Sequence, residues 1–308
     1  MSQDNLPEQG GMLKLDILQT KRLTLQPLSL NDRKFIFELT NTPGWKRFIG
    51  DRKIHNEEDA AAYIQRILDN PNAEYWTVSS KKDSRSVGVV TVIKRDYLDH
   101  HDIGFAFLPD EEKKGYAYEA SSAAAAYLLH KFSFSDIQAT TVPENEKSIA
   151  LLKKLGLDFI REIEVENEVL HVYGASRDQI QLSLLTNEFY SVFRTKNGEK
   201  ADVEKLTRLC VNEVSIRHKT KDHSVYFSLT EFIRTRKEIL ERGDLTEFEE
   251  HEIRAHTQVL SNIAQRHSQY QKSGVRSANA FRTKGDKLFQ FVRTDDGWKI
   301  SSVLWEDE

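Results

Sequence analysis

The residues best suited to chemistry lie in one short loop. Residues 110–120 read Asp-Glu-Glu-Lys-Lys-Gly-Tyr-Ala-Tyr-Glu-Ala. Gly115 and Ala117 carry too little bulk to keep a ligand away from the main chain. Lys113 and Lys114 add positive potential beside them. Small residues next to lysines indicate an anion site, and we predict a cradle for a pyrophosphate group.

The segments on either side of this loop differ in periodicity. Residues 101–108 place Ile103, Phe105 and Phe107 at alternate positions, which predicts a strand. Residues 118–131 instead carry apolar side chains at helical spacing. A helix that starts after such a loop leaves its first main-chain N–H groups unpaired, so they can converge on an anion.

A second strand-to-helix unit follows. Residues 137–142 read Ile-Gln-Ala-Thr-Thr-Val and predict a strand. Asn145 is a suitable N-cap for the next helix, and Gly156 suits its C-cap. The apolar face of that helix is formed by Ile149, Leu152 and Leu155.

Together these segments resemble the GNAT superfamily of acetyl-CoA-dependent N-acetyltransferases. That family carries a loop Arg/Gln-x-x-Gly-x-Gly/Ala, then Asn-x-x-Ser/Ala, then Leu-Gly-Phe. Here residues 112–117 read Glu-Lys-Lys-Gly-Tyr-Ala, residues 145–148 Asn-Glu-Lys-Ser and residues 155–157 Leu-Gly-Leu. Residues 20–28 resemble the Thr-x-Arg-Leu-x-Leu-Arg opening of the ribosomal-protein-alanine branch. The resemblance covers about residues 12–176.

The chain departs from the family pattern at two positions. Glu112 stands where the family has Arg or Gln. Because binding in this loop is mostly through the main chain, we expect a weakened anion site rather than its loss. Leu152 stands where many members place a Tyr that protonates the leaving thiolate. The ribosomal-protein-like branch commonly lacks that Tyr, so activity is compatible with Leu152.

The resemblance implies acetyl-CoA as co-substrate, lying in a wedge between two parallel strands that splay apart, here residues 101–108 and 137–142. Main-chain groups of Phe105, Phe107 and Leu108 would bind the pantetheine arm. The pyrophosphate would be held by the loop, through Lys113, Lys114, Gly115, Tyr116, Ala117 and Tyr118. Asn145 and Ser148 would contact the cofactor arm, although simple helix capping also explains Asn145.

The same resemblance implies direct acetyl transfer without an acyl-enzyme. The acceptor amine must lose a proton, and a nearby carboxylate can accept it. Asp102, at the start of a predicted strand, is our first candidate for this base, and His101 is the second. A solvated carboxylate at a strand end is the other interpretation of Asp102.

The acceptor is less well defined by the sequence. Residues 44–52 occupy the segment that forms the acceptor-side wall in the family. Its Trp45, Lys46, Arg47 and Arg52 would attract an acidic or aromatic acceptor, or simply form a basic helix end. Protein N-terminal α-amines, small amines and amino sugars all remain open, and the similar branch favours an α-amine.

Length and composition set broader limits. A chain of 308 residues suggests two domains. A net charge of −4 argues against general nucleic-acid binding, and no apolar run is long enough to span a membrane. Cys210 is the only cysteine, which excludes an intrachain disulfide and favours a cytoplasmic location. No Cys/His cluster has metal-ligand spacing, and residues 1–11 indicate a disordered tail.

The second domain is predicted over residues 177–308. Helical patterns followed by a strand meander that ends near Trp305 resemble the SnoaL-like, ketosteroid-isomerase-like fold, a cone-shaped cystatin-like α+β domain. Separate strands are predicted at residues 277–283 and 288–294. Charged side chains are predicted on exposed strand faces, with a pocket lining as the alternative: Glu249, Glu252, His256, Arg266 and His267. Trp298 and Trp305 are predicted to fill the core face of the sheet, with a cap over a ligand as the alternative.

The prediction is therefore a mixed-sheet α/β GNAT domain at 12–176 followed by a smaller α+β cone at 177–308. Its function would be an N-acetyltransferase acting on a primary amine, with no metal. The second domain would bind a ligand, select the acceptor or form a homodimer. The alternative is a non-catalytic acyl-CoA sensor with a degenerate acetyltransferase domain.

Overall fold

The computed structural model describes residues 13–243 and 245–308. The tail predicted at residues 1–11 lies outside the described residues. The chain divides between Ile180 and Gln181 into two compact units.

The first unit is built on a mixed sheet. Its strands are β1 (Leu18–Gln19), β2 (Leu23–Pro27), β3 (Ala73–Ser80), β4 (Ser86–Ile93), β5 (Asp102–Phe107), β6 (Asp136–Thr141), β7 (Asp158–Val165) and β8 (Glu168–Ser176). Its α-helices are α1 (Arg33–Thr40), α2 (Pro43–Phe48), α3 (Glu57–Leu68), α4 (Tyr116–Lys131) and α5 (Glu146–Leu155). Short 3₁₀ turns lie at Leu30–Asp32 and Pro109–Glu111.

The strand order is β1-β2-β3-β4-β5-β6-β8-β7. Strands β5 and β6 pair in parallel, and the other neighbours pair antiparallel. The parallel pair is joined by the predicted loop and α4, because parallel neighbours need a crossover connection. The expected mixed α/β sheet is confirmed for this unit.

The caps predicted for α5 are present. Asn145 Oδ1 accepts a hydrogen bond from the main-chain N–H of Ser148 at 3.2 Å. Gly156 ends the helix with a φ of +96°, a left-handed conformation that favours glycine. Leu152 and Leu155 are buried, so the predicted apolar face packs inward and fixes the helix against the sheet side of the unit.

The second unit is also mixed. Helix α6 (Arg177–Ser191) contains the division between the units, and α7 (Leu206–Leu209) and α8 (Leu229–Glu241) follow. Its strands are β9 (Cys210–Lys219), β10 (Ser224–Phe227), β11 (Leu245–Leu260), β12 (Ile263–Arg276), β13 (Asn279–Thr294) and β14 (Gly297–Asp307). They form one sheet in the order β10-β9-β14-β13-β12-β11, and β14 pairs with β9 in parallel. Short 3₁₀ turns lie at Lys196–Gly198 and Val203–Lys205.

The meander predicted near the end of the chain is present, with one error. The two strands predicted at 277–283 and 288–294 are the single strand β13. Gly285 lies inside that strand because both neighbouring strands leave no room for a side chain. A Cβ on Gly285 would lie 2.4 Å from the Glu306 carbonyl oxygen on β14 and 2.7 Å from the Tyr270 hydroxyl on β12. The glycine is therefore a packing residue and not a strand break.

The prediction that the charged residues of β11 and β12 all face outward is wrong for Arg266 and Glu252. Arg266 is only 5% exposed. Its guanidinium donates to both oxygens of Glu252, at 3.0 Å from Nε and 2.5 Å from Nη2. His256 and His267 are exposed, but together with Arg266 they also line a cavity of the second unit, so the pocket-lining alternative holds for these three residues. Glu249 pairs with Lys196. The core position predicted for Trp298 and Trp305 is confirmed.

A second ion pair is buried in the same unit. Lys287 on β13 is 4% exposed and pairs with Glu250 on β11. Its ammonium also lies 3.6 Å from the centroid of the Tyr270 ring and 4.8 Å from that of Tyr190. The buried face of β13 thus carries a charged side chain near the middle of the strand, and the next two buried positions on that face are the aromatic residues Phe289 and Phe291.

Candidate functional site

The central feature of the first unit is the place where β5 and β6 separate. Their register joins one residue pair, Asp102 with Gln138, and the Gln138 N–H donates to the His101 carbonyl at 3.0 Å. Two residues further along β6, the Thr140 N–H does not donate to a main-chain carbonyl of β5. It donates to the side chain of Asp102, at 3.1 Å from Oδ1. The two strands therefore form the splayed wedge that the resemblance implies.

The wall of this wedge is accessible. Gly104, Phe105, Ala106 and Phe107 are only partly buried, although β5 lies in the middle of the sheet. Main-chain groups on the open side of β5 can therefore pair with an extended ligand in place of a strand. Leu108, predicted to contribute to this site, is buried, and its N–H donates to the Val87 carbonyl at 3.0 Å.

Two glycines shape the wedge from within the sheet. A Cβ on Gly104 would lie 2.5 Å from Thr91 Oγ1 on β4. A Cβ on Gly88 would lie 2.4 Å from the ring of Phe107. Glycine at these positions lets β4 and β5 pack closely, so that the Phe107 ring occupies the space a side chain at position 88 would fill.

The predicted cradle lies at the start of α4. Gly115 is the N-cap residue, with a φ of +78°, and Lys113 is also left-handed, with a φ of +60°. Gly115 offers no side chain to cap the first turn. Apart from its chain neighbours, the described residues place one atom, Arg22 Nη2 at 3.4 Å, within 4 Å of a Cβ built there. The space in front of the helix start is therefore open and suited to a diphosphate.

The charges of the loop are partly paired. Lys114 Nζ donates to Glu111 Oε2 at 2.8 Å, and this bond raises the pKa of Lys114. Glu112, the departure from the family pattern, pairs with Lys147 of α5 at 2.5 Å. Because the Lys114 ammonium is shared with Glu111, its contribution to an anion site is smaller than the sequence suggests. The main-chain donors are unaffected.

Sequence reasoning assigned no role to Arg22 and Glu119, which brace this loop. Arg22 Nη1 donates to the Lys114 carbonyl at 2.8 Å, and Arg22 Nε donates to Glu119 Oε2 at 2.6 Å. Glu119 Oε1 accepts from the Arg22 N–H at 2.8 Å and from Thr20 Oγ1 at 2.6 Å. The sequence signal for this contact was the Thr-x-Arg-Leu segment at residues 20–23. Its partner, Glu119, lies 97 positions after Arg22 in the chain.

Asn145 combines the two roles considered from the sequence. Its Oδ1 caps α5 through the Ser148 N–H. Its Nδ2 forms no hydrogen bond with any residue in 13–243 or 245–308, and the side chain is half-buried. Asn145 thus retains a donor for a ligand, and Ser148 lies partly buried beside it.

The two candidate bases occupy different environments. Asp102 is 4% exposed, and its Oδ2 accepts from Arg95 Nε at 2.8 Å. Burial raises the pKa of Asp102, and the Arg95 charge and the Thr140 hydrogen bonds partly oppose that rise. The interpretation as a solvated carboxylate is therefore wrong. The missed partner, Arg95, lies in the irregular segment between β4 and β5.

His101 stacks on Phe134, with ring centroids 4.4 Å apart. Burial and the nearby Lys94 charge lower the pKa of His101, which favours the neutral imidazole. Because neighbouring strand residues face opposite sides of a sheet, the structure does not bring the His101 and Asp102 side chains together.

On the acceptor side, Trp45 is a core residue at 5% exposure, packed with α1 and α3. Lys46, Arg47 and Arg52 are exposed, and Arg47 lies over the Phe48 ring at 4.9 Å. The alternative of a basic helix end thus describes Lys46 and Arg47, which lie in the last turn of α2, whereas Arg52 lies beyond the helix. The contribution of Trp45 that the structure shows is packing within this core.

Within the described part of the chain, few groups are suited to a metal site, a membrane span or a cysteine nucleophile. Residues 13–243 and 245–308 contain no cluster of three or more His, Cys, Asp or Glu placed to hold a metal. The same residues form no helix long and apolar enough to cross a membrane. Burial raises the pKa of Cys210 to about 12, which makes its thiol a poor nucleophile.

Comparison with known proteins shows which family the chain matches. A family model described as an acetyltransferase (GNAT) domain matches residues 22–158. The uncharacterized N-acetyltransferase YnaD of Bacillus subtilis is 30% identical over 142 residues, which are 46% of this chain and 81% of that protein. The spermidine N(1)-acetyltransferase of Escherichia coli K12 is 20% identical over 176 residues, or 56% and 90% of the two chains.

Among solved structures, spermidine N-acetyltransferase from Vibrio cholerae, in complex with CoA and spermine, matches 53% of this chain and 99% of its own. Its sequence identity is 16% and its TM-score 0.46. These three matches cover about half of the present chain.

Proposed function

The chain belongs to the GNAT acetyltransferase family, and on that basis we propose that it transfers the acetyl group of acetyl-CoA directly to a primary amine. One observation carries the proposal most strongly: the splayed β5/β6 pair leads to an open, glycine-capped helix start. An extended arm and a diphosphate need that combination.

The residues of this chain would divide the work of binding. The main chain of Phe105 and Phe107 would pair with the pantetheine arm along β5. Leu108 is not available for this role, because its N–H donates to the Val87 carbonyl and its carbonyl accepts from the Glu111 N–H. The diphosphate would lie on the loop amides formed by Lys113, Lys114, Gly115, Tyr116, Ala117 and Tyr118. Asn145 Nδ2 would donate to the arm from the opposite wall, and Ser148 would lie next to it.

Holding both reactants in one wedge supplies much of the rate enhancement through proximity. A main-chain N–H near Phe107 would stabilise the developing oxyanion. We assign proton removal from the acceptor to Asp102, whose raised pKa makes it a stronger base than an ordinary aspartate. His101 is the second candidate, on the other face of the strand.

An N-terminal α-amine is our first acceptor class. It titrates near ~8, compared with ~10.4 for a lysine amine, so it needs less help to lose its proton. A polyamine is the second class, suggested by the similarity to spermidine N(1)-acetyltransferase. The exposed cations Lys46, Arg47 and Arg52 favour the first class, because they would repel a polycation.

For residues 177–308 we propose the SnoaL-like cone and a role in ligand binding or homodimerisation. The support is the element order, in which α6 and α7 are followed by the β9–β10 hairpin, α8 and a four-stranded meander, with all six strands in one sheet. A cytoplasmic location belongs to the same proposal and is supported by the single cysteine.

A thiol-release assay with acetyl-CoA tests the activity. The acceptors would be peptides with free α-amines, lysine peptides with blocked N-termini, spermidine and aminoglycosides. We expect CoA release with at least one α-amine peptide. Tight acetyl-CoA binding without release across the whole set would instead favour the alternative, an acyl-CoA sensor.

The variant Asp102→Asn should lower kcat about 10²- to 10⁴-fold, the usual contribution of a general base, with a smaller change in acceptor KM. In the wild type, kcat should fall as pH drops through the raised pKa of Asp102, since protonation removes the base. The variant should lack that limb of the profile. Asp99→Asn is the control, an exposed carboxylate of the same segment, paired with Arg161. Equal kcat for Asp102→Asn and wild type from pH 5 to 9 would reject the assignment.

A further inference from the structure

We propose that Arg22, the residue just before β2, is a diphosphate-binding residue that supplies a cation to the cradle where the loop itself carries Glu112. This inference rests on the proposed function and goes beyond it, because nothing in the loop sequence points to a residue so far upstream. The Arg22 guanidinium both holds the loop in place and donates a hydrogen bond to a phosphate oxygen of the ligand.

Arg22 uses some of its side-chain donors within the protein and leaves one available. Nε is bound to Glu119 and Nη1 to the Lys114 carbonyl. Nη2 has no hydrogen-bond partner among residues 13–243 and 245–308. That nitrogen lies 3.4 Å from the position of a Gly115 Cβ, in front of the first turn of α4. The remaining donor is thus directed toward the space in which a diphosphate would lie.

Neighbouring residues hold the Arg22 side chain in position. Glu119 fixes it through the side chain and the main-chain N–H, and the Tyr116 ring lies 4.7 Å from the guanidinium carbon. The side chain is still 42% exposed, so a ligand can reach it. A planar guanidinium can bridge several acceptors in fixed geometry, and pre-set donors bind with a smaller entropy loss.

Other cations near the loop are engaged with other groups. Lys114 is paired with Glu111, Lys147 with Glu112, and the Lys154 ammonium lies 4.3 Å from the Tyr118 ring centroid. Lys113 is exposed on a flexible stem and contributes a mobile charge. Arg22 is therefore the cation that the fold holds in a fixed position beside the start of α4.

The test measures binding as well as activity. Isothermal titration of the full chain would compare CoA with 3′-dephospho-CoA, which keeps the diphosphate and lacks the ribose phosphate. Arg22→Gln should weaken both ligands about 10- to 100-fold, since a charge-assisted hydrogen bond is lost. Arg22→Lys should also weaken both, because an ammonium cannot span the loop carbonyl, Glu119 and a phosphate together. Arg33→Gln, which removes an exposed arginine paired with Glu57, is the control.

A second measurement separates phosphate binding from a purely structural role. With S-acetylpantetheine, which has no diphosphate, the ratio of kcat/KM between acetyl-CoA and this analogue should fall by the same factor in Arg22→Gln. Three results would overturn the inference for Arg22→Gln. They are an equal loss of kcat/KM for acetyl-CoA and S-acetylpantetheine, a loss of affinity for CoA but not for 3′-dephospho-CoA, and an unchanged affinity for both CoA ligands. If wild-type protein binds no CoA at all, the proposed function fails first.

Discussion

Gly115→Trp should abolish measurable CoA binding while the first unit remains folded. The indole would occupy the space in front of α4 and displace Arg22 Nη2, which lies 3.4 Å from the new Cβ. Several charge-assisted hydrogen bonds, each about 1.5–3 kcal/mol, would be lost together, so the affinity should drop more than about 100-fold. The φ of +78° adds about 1–2 kcal/mol of strain to the variant, which a calorimetric melt would detect as a modest Tm decrease.

Gly198→Trp is the matched control. Gly198 has a similar φ of +74°, and a Cβ there meets nothing within 4 Å of it in the described structure. This variant carries the same kind of strain in the second unit and should keep wild-type affinity. An unchanged Kd for CoA in Gly115→Trp would remove the loop from the binding site.

The second large effect concerns stability. Lys287→Met should destabilise the second unit by about 3–5 kcal/mol, because it leaves Glu250 buried without its partner. The double variant Lys287→Met with Glu250→Leu should recover most of that loss, since an apolar pair of similar volume has no desolvation penalty. Urea unfolding followed by tryptophan fluorescence measures both. Lys284→Met, at an exposed position of the same strand, is the control.

The same pair gives a pH dependence with a defined sign. Burial lowers the pKa of Lys287 to about 8 from 10.5. Between these values the unfolded chain binds more protons than the folded one, so the free energy of unfolding rises with pH. Lys287→Met should lose that rise between pH 8 and 10.5. If Lys287→Met were as stable as wild type, or kept the same pH dependence, the buried Lys287–Glu250 pair would carry no such desolvation cost.

Local signals in the sequence were sufficient for much of the site. The cap residues Asn145 and Gly156, the glycine at 115 and the alternation in β5 each act within a few residues of their own position. Such features depend on main-chain conformation, which residue type determines directly. The wedge itself was anticipated only through the family resemblance.

The contacts that were missed join distant parts of the chain. Arg22 and Glu119 are 97 positions apart, and no periodicity links them. Strand β9 was missed because its polar and apolar residues alternate imperfectly, as in Asn212, Glu213 and Val214. The inward position of Arg266 was missed because a charged side chain is expected outside unless its buried partner, here Glu252, is known.

A crystal structure of the full chain grown with CoA tests the central claim most directly. We expect the diphosphate on the main-chain N–H groups of residues 113–118, within hydrogen-bond distance of Arg22 Nη2, and the pantetheine arm between β5 and β6. CoA bound elsewhere on the chain, with the helix start of α4 empty or filled by packed side chains, would contradict the account.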